Sequence, residues 1–176
     1  RFVLHVWVVA MMLTGIAFGQ SPPSNDYCED ALEIYLGTTS FSTIDATTDG
    51  DSHDGCEPND QTHNDIWYTF TSGATGTLVI STCDLVDYDS DVVAYYGDDC
   101  SSLEFAGCND DGDGCAGWSS YLEVPVYLGD RITIRVGGYS YSNEGSGDLF
   151  LDIVDAKGNS VYSPANDNCD DAVQIS

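Results

Sequence analysis

The sequence predicts an all-β protein, an antiparallel jelly-roll-type β-sandwich of about nine strands. Three observations predict it. Apolar side chains recur with period 2 along most of the chain, and no stretch carries the 3.6-residue period of a helix. Turn residues interrupt the apolar runs at short intervals. Of the 30 acidic residues 24 are Asp, which suits turns and loops where Glu would suit helices.

The expected strands follow in order. The first covers Ala31 to Leu36 and the second Phe41 to Ile44. Ile66, Tyr68 and Phe70 point one way in the third, and Leu78 and Ile80 do so in the fourth. Val92 to Tyr96 and Leu103 to Ala106 supply the next two. Three strands complete the set: Leu122, Val124 and Val126; Ile132, Ile134 and Val136; Leu149, Leu151 and Ile153. Between them stand Asp49-Gly50, Asp54-Gly55, Gly97-Asp98, Gly129-Asp130 and Lys157-Gly158-Asn159. So many short alternating strands bury their apolar faces most simply as two packed sheets. Trp67 is out of phase with Ile66 and Tyr68, so it falls on the other sheet face, either covered or exposed as a platform; a covered ring is the expected reading.

Domain organisation is read from the two ends. Residues 1–19 carry a positive Arg1, an apolar run from Phe2 to Ala17 and small residues at Ala17 and Gly19, the pattern of a secretory signal peptide. Residues 20–24 read as a short linker and 25–162 as one β-sandwich repeat. The segment from Asn166 repeats the one from Asn25 at an offset of 141 residues: Cys169 matches Cys28, Asp171 matches Asp30 and Ala172 matches Ala31. Residues 163–176 are therefore expected to be a linker and the truncated start of a second repeat.

Export and the repeat explain the seven cysteines. Cys28, Cys56, Cys83, Cys100, Cys108 and Cys115 belong to the first unit, and in an oxidising compartment they should form disulfides. The preferred pairing is Cys28–Cys56, Cys83–Cys115 and Cys100–Cys108, with the last two pairs free to exchange partners. No CxxC pair points to structural zinc.

A formal net charge of −26, from 4 basic and 30 acidic residues, excludes nucleic acid as a partner, because a polyanion needs a basic face to displace its counterions. After signal cleavage nothing else is long or apolar enough to insert in a membrane. The acid is clustered with a spacing of two: Asp49, Asp51 and His53; Asp87, Asp89 and Asp91; Asn109, Asp111 and Asp113. Asn109, Asp111, Asp113 and Gly114 match the first half of an EF-hand loop, but Ser120 stands where the bidentate Glu is needed, so a helical EF-hand is rejected. The surviving expectation is a calcium site assembled from two loops, with Asp87, Asp89, Asp91, Asn109, Asp110, Asp111 and Asp113 as candidate ligands. The alternative is a set of solvated acidic loops. No GxSxG, HExxH or P-loop is present, so no catalytic residue is assigned and the chain reads as non-enzymatic. Trp118, in the loop after Cys115, is the candidate for an exposed ligand-binding aromatic, with packing against the disulfides as the alternative.

The ordered segments NDYCEDALEI, ATTDG, NDIWYTF, GTLVISTC, DSDVVAYYGDDC, CNDDGDGC and GDRITIRVGGY resemble the bacterial pre-peptidase C-terminal (PPC) domain in a Cys-rich tandem form. The resemblance covers Asn25 to Val154. It implies a non-catalytic jelly-roll sandwich appended to secreted proteases and other surface proteins, and a calcium site for which Asp89, Asp91, Asn109, Asp110 and Asp111 are the positions carried over. The leading expectation is a secreted, calcium-stabilised binding or spacer repeat beside adjacent copies of itself, with an extracellular protein or polysaccharide as partner. An accessory domain of an exported hydrolase and a carbohydrate-binding module are the alternatives.

Overall fold

The computed structural model describes residues 21–56 and 60–161. The expected signal peptide and the expected start of a second repeat lie outside the described residues. Strands form where β-branched and aromatic residues alternate: β1 Leu32–Glu33, β2 Gly37–Ser42, β3 His63–Thr71, β4 Gly76–Ser81, β5 Ser90–Tyr96, β6 Glu104–Asn109, β7 Tyr121–Val126, β8 Arg131–Gly138 and β9 Ser146–Val154. Each overlaps one of the nine segments expected from the sequence, although β2 starts at Gly37 and ends at Ser42 where Phe41 to Ile44 was expected. The first shrinks to two residues paired in parallel with β3. The only helical pieces among the described residues are single 3-10 turns at Cys28–Asp30 and Ala116–Trp118.

The topology is that of one long hairpin wrapped on itself. β2 pairs with β9, β3 with β8, β4 with β7 and β5 with β6, all antiparallel. Successive pairs alternate between sheets, giving the order β2-β9-β4-β7 in one and β1-β3-β8-β5-β6 in the other, which is a jelly roll. The core between the sheets is built by the in-phase residues, among them Ile66, Leu78, Ile80, Val92, Ile134, Leu149 and Ile153, all essentially inaccessible.

The two sheets differ in their outer faces. β7 alternates strictly between exposed and buried residues, as a sheet with one face in water should. β5 and β8 are buried on both faces. The cause is a second apolar cluster on the outside of the five-stranded sheet, where Trp67, Val93, Tyr95 and Cys28 pack together. Trp67 is covered, as expected, and stacks on Tyr95 with 5.9 Å between ring centroids. Two segments lie over this face. Trp67 N–H donates to the Asn25 carbonyl of the first, and Arg135 donates to the Gly50, Asp51 and Thr62 carbonyls of the second.

Two disulfides tie these covering segments down, Cys28–Cys100 and Cys56–Cys108, and a third joins the loop after β4 to the turn before β7, Cys83–Cys115. The last was expected; Cys28–Cys56 and Cys100–Cys108 are corrected. Cys108 sits opposite Val93, four residues into β6, roughly 13 Å of strand beyond its start, whereas Cys100 lies at the β5–β6 turn. A disulfide spans only about 6 Å between Cα atoms, so the two ends of one hairpin arm cannot join. Each instead captures the segment laid across its own end of the sheet.

Candidate metal centre

The site grows from the end of the sandwich where β5 begins and β6 ends. Alternation along β5 turns Ser90, Val92 and Ala94 toward the other sheet and puts Asp89, Asp91 and Val93 on the outer face. Ser90 is held inside by hydroxyl contacts with Thr82 at 2.7 Å and Ser120 at 3.2 Å, which fixes where its two aspartate neighbours stand. Val92 pairs with Asn109, so the next register step places Asp110 opposite Asp91 on that outer face.

Carboxylate oxygens of Asp89, Asp110 and Asp111 lie within 4.8 Å of one another. Asp89 and Asp111 come from different loops, and their proximity together with burial pushes the Asp89 carboxyl above its ordinary range, burial being the larger cause. Asp91 is 2 % exposed. Its Oδ2 accepts the Thr62 hydroxyl at 2.5 Å, while its Oδ1 is buried with no hydrogen-bond partner, as is Oδ1 of Asp89. Burial pushes the Asp91 carboxyl up to about 6, against the opposing pull of Thr62 and Arg135. Hard oxygens converging from two loops, with a donor-less carboxylate oxygen on Asp89 and another on Asp91 behind it, fit the chemistry of a calcium ion, which takes 6–8 oxygen ligands.

Of the seven expected ligands, Asp89, Asp110 and Asp111 meet, and Asp91 stands behind them. The others are placed elsewhere. Asn109 Oδ1 accepts the Tyr121 N–H at 2.7 Å and its amide donates to the Asp111 carbonyl, so it shapes the loop. Asp87 accepts the Ser146 N–H at 2.8 Å and ties its loop to β9. Asp113 is exposed and outside the three-carboxylate group. Of the first Asp-rich loop, Asp49 accepts the Cys28 N–H and His53 meets the Tyr95 hydroxyl at 2.8 Å, so it braces the outer face.

The carboxylates open into a cleft of about 640 Å³ whose rim carries Trp118 and Tyr139. Trp118 is 66 % exposed and has φ 55°, a backbone conformation that an aromatic residue rarely adopts. Its turn is anchored by the Cys83–Cys115 disulfide, by Ala116 N–H donating to Asp84, and by Ser119 donating to the Ala116 carbonyl.

Sequence reasoning missed the group that supports the site from beneath. Arg135 and Asp65 form an ion pair at 2.6 Å with both side chains wholly inaccessible, and the guanidinium lies 5.5 Å from the Trp67 ring centroid. The available signal was an Arg in the outward phase of the Ile132, Ile134, Val136 strand, in a chain with only 4 basic residues. Glycine permits two close approaches here. A Cβ on Gly50 would come within 2.6 Å of the Arg135 guanidinium carbon, and one on Gly137 would overlap the His63 carbonyl.

With this geometry in place, comparison with known proteins gives three results. No curated protein matches the chain. Among solved structures the chain is similar to the pre-peptidase C-terminal domain of a collagenase from Bacillus anthracis, with 17 % identity over 69 % of this chain and 93 % of that one and a TM-score of 0.43. That relative carries the name of the family that the sequence motifs resemble. Residues 24–117, from before the first 3-10 turn to the Trp118 loop, match the T9SS-associated family described as Galactose binding domain-like. The chain belongs to this Galactose binding domain-like family.

Proposed function

We propose that the chain is an exported, non-catalytic module, stabilised by calcium, that serves as a binding or spacer repeat in a larger extracellular or cell-surface protein. The observation that carries this reading is the convergence of Asp89, Asp110 and Asp111 in front of Asp91, with buried carboxylate oxygens of Asp89 and Asp91 lacking donors. An unpaired buried charge is costly, and a divalent cation relieves it. Three disulfides support an oxidising compartment, and the T9SS-associated family supports export. With all six cysteines of the unit in disulfides, no thiolate nucleophile remains there. Extracellular protein or polysaccharide is the partner class that fits a chain of net charge −26.

Thermal unfolding with calcium and with chelator tests the metal. Calcium at a hundredfold over its Kd stabilises by about 2.7 kcal/mol, on the order of 10 °C for a domain of this size. No change in midpoint at two ionic strengths would remove calcium from the reading.

A second reading, a carbohydrate-binding module, is favoured by the exposed Trp118 at the mouth of the acidic cleft and by the family's name. Sugar faces stack on exposed aromatic rings. Glycan-array binding that Trp118→Ala leaves intact would count against this site. The accessory role in an exported hydrolase is decided by whether the full reading frame carries a protease domain.

A further inference from the structure

The end of the sandwich opposite the aspartate cleft carries an apolar groove. Tyr35, Phe70, Ala74, Ile153 and Val161 line a groove of about 170 Å³. Tyr127 and Leu128 stand beside it, since their turn is bonded to the same loop: Leu128 N–H donates to Thr75 Oγ1 at 3.1 Å and Gly129 N–H to the Ser72 carbonyl at 2.8 Å. Tyr35 is 72 % exposed, Tyr127 69 % and Leu128 71 %. Single exposed apolar residues are ordinary, but a contiguous set around a groove marks an interaction surface.

Three observations identify the occupant. The chain leaves the sandwich at this groove: Val161 lines it and is pinned by its N–H to the Ile153 carbonyl at 2.8 Å. Five residues later, at Asn166, the sequence repeats the segment from Asn25, so a second copy would begin within about 18 Å of the groove. Each copy also starts beside the half of β3 that lies away from its own groove. Asn25 is bonded to Trp67, and Asp26 holds Thr47 N–H at 2.6 Å, where Thr47 in turn accepts from Asp65 near the start of β3; Phe70 in the groove lies near the strand's finish. Exit end therefore faces starting end.

We infer that the groove seats the starting end of the next repeat, so that adjacent copies pack head to tail as a semi-rigid rod. The contact is heterologous, and a short linker supplies an effective concentration in the millimolar range, so a surface too small to hold free copies together is sufficient. This inference rests on the tandem-repeat part of the function proposed above.

The test is a two-copy chain, the present chain through Ala165 joined to a second copy of residues 25–161 in the native register, measured by small-angle X-ray scattering. A companion carries a 12-residue Gly/Ser insertion after Ala165. The insertion adds about 20 Å to the maximum dimension of an undocked pair and nothing to a docked one. The expected result is no change in the parent pair and the full increase when Tyr35→Asp and Leu128→Asp are made in the first copy. The same substitutions should leave the melting temperature of the single-copy chain unchanged, since both side chains are exposed; if they lower it, Tyr35→Ser and Leu128→Ser replace them. A parent pair that lengthens with the insertion overturns the inference. So does a concentration-dependent dimer of the single-copy chain that the substitutions abolish, because the occupant is then the same face of another molecule. Measuring with calcium and with chelator keeps a failure of the metal separate, and a reading frame without a second repeat would remove the array itself.

Discussion

Arg135 Nη2 lies 2.6 Å from Asp65 Oδ2, with neither side chain reachable by solvent, on the outer face of a sheet whose inner face is already core. The same guanidinium donates to the carbonyls of Gly50, Asp51 and Thr62. Burial pushes the Asp65 carboxyl up even though Arg135 pulls it down, so the pair is not a large net source of stability. Its effect is positional: it fixes the loop that supplies Thr62 to Asp91.

Arg135→Met should therefore be severe. It strands Asp65 without a counter-charge and leaves several loop carbonyls without a donor, a loss of about 3–5 kcal/mol. Urea unfolding measures the loss, and the double variant with Asp65→Leu should recover part of it. A single variant within 1 kcal/mol of the parent would show that the network is dispensable.

Asp91 sets a pH dependence with an unusual sign. Its folded carboxyl is raised to about 6 from the ordinary 3.8, so between those limits the folded state binds more protons than the unfolded one. Stability of the metal-free protein then falls as pH rises through that window, by about 2–3 kcal/mol from this group. Asp91→Asn should flatten the fall and raise the melting temperature at pH 7 in chelator. A variant that is less stable than the parent under those conditions would contradict the burial argument.

Calcium should separate the acidic residues that the sequence groups together. Asp110→Asn and Asp89→Asn should abolish or strongly reduce the calcium-induced shift in melting temperature. Asp113→Asn should leave it intact and change stability by less than about 0.5 kcal/mol. Isothermal titration of the three variants checks the contrast, and equal losses in all three would mean that calcium binds a diffuse acidic surface.

Disulfide mapping under non-reducing conditions should yield peptides linking Cys28 to Cys100 and Cys56 to Cys108. The first closes a separation of 72 residues and Cys83–Cys115 one of 32, so on chain entropy its removal should cost about 0.7 kcal/mol more. A Cys28–Cys56 peptide would restore the sequence-based pairing and displace the covering segments.

The strands were legible because each rests on a local pattern. Ile132, Ile134 and Val136 alternate whatever lies beside them, and the turns at Gly129-Asp130 and Lys157-Gly158 carry their own chemistry. The aspartate clusters were also visible, and three of the seven expected ligands converge. The remainder depended on partners far along the chain. Asn109 and Asp113 fit the spacing of a loop ligand, yet Tyr121 takes the first and solvent the second.

By itself the sequence determined the sandwich, its nine strands, its acidic loops and the cysteines available to staple it, since these follow from side-chain period and composition. Tertiary structure alone decided which cysteines meet, that Arg135 is buried against Asp65, and that Asp91 lies behind Asp89 and Asp110. The physical reason is that the segments around residues 25–31 and 48–62 are held on the outer face of the sheet by residues far along the chain, Asn25 by Trp67 at a separation of 42 and Gly50 by Arg135 at one of 85. Period and spacing describe one strand at a time, and they hold no information about what is laid over it.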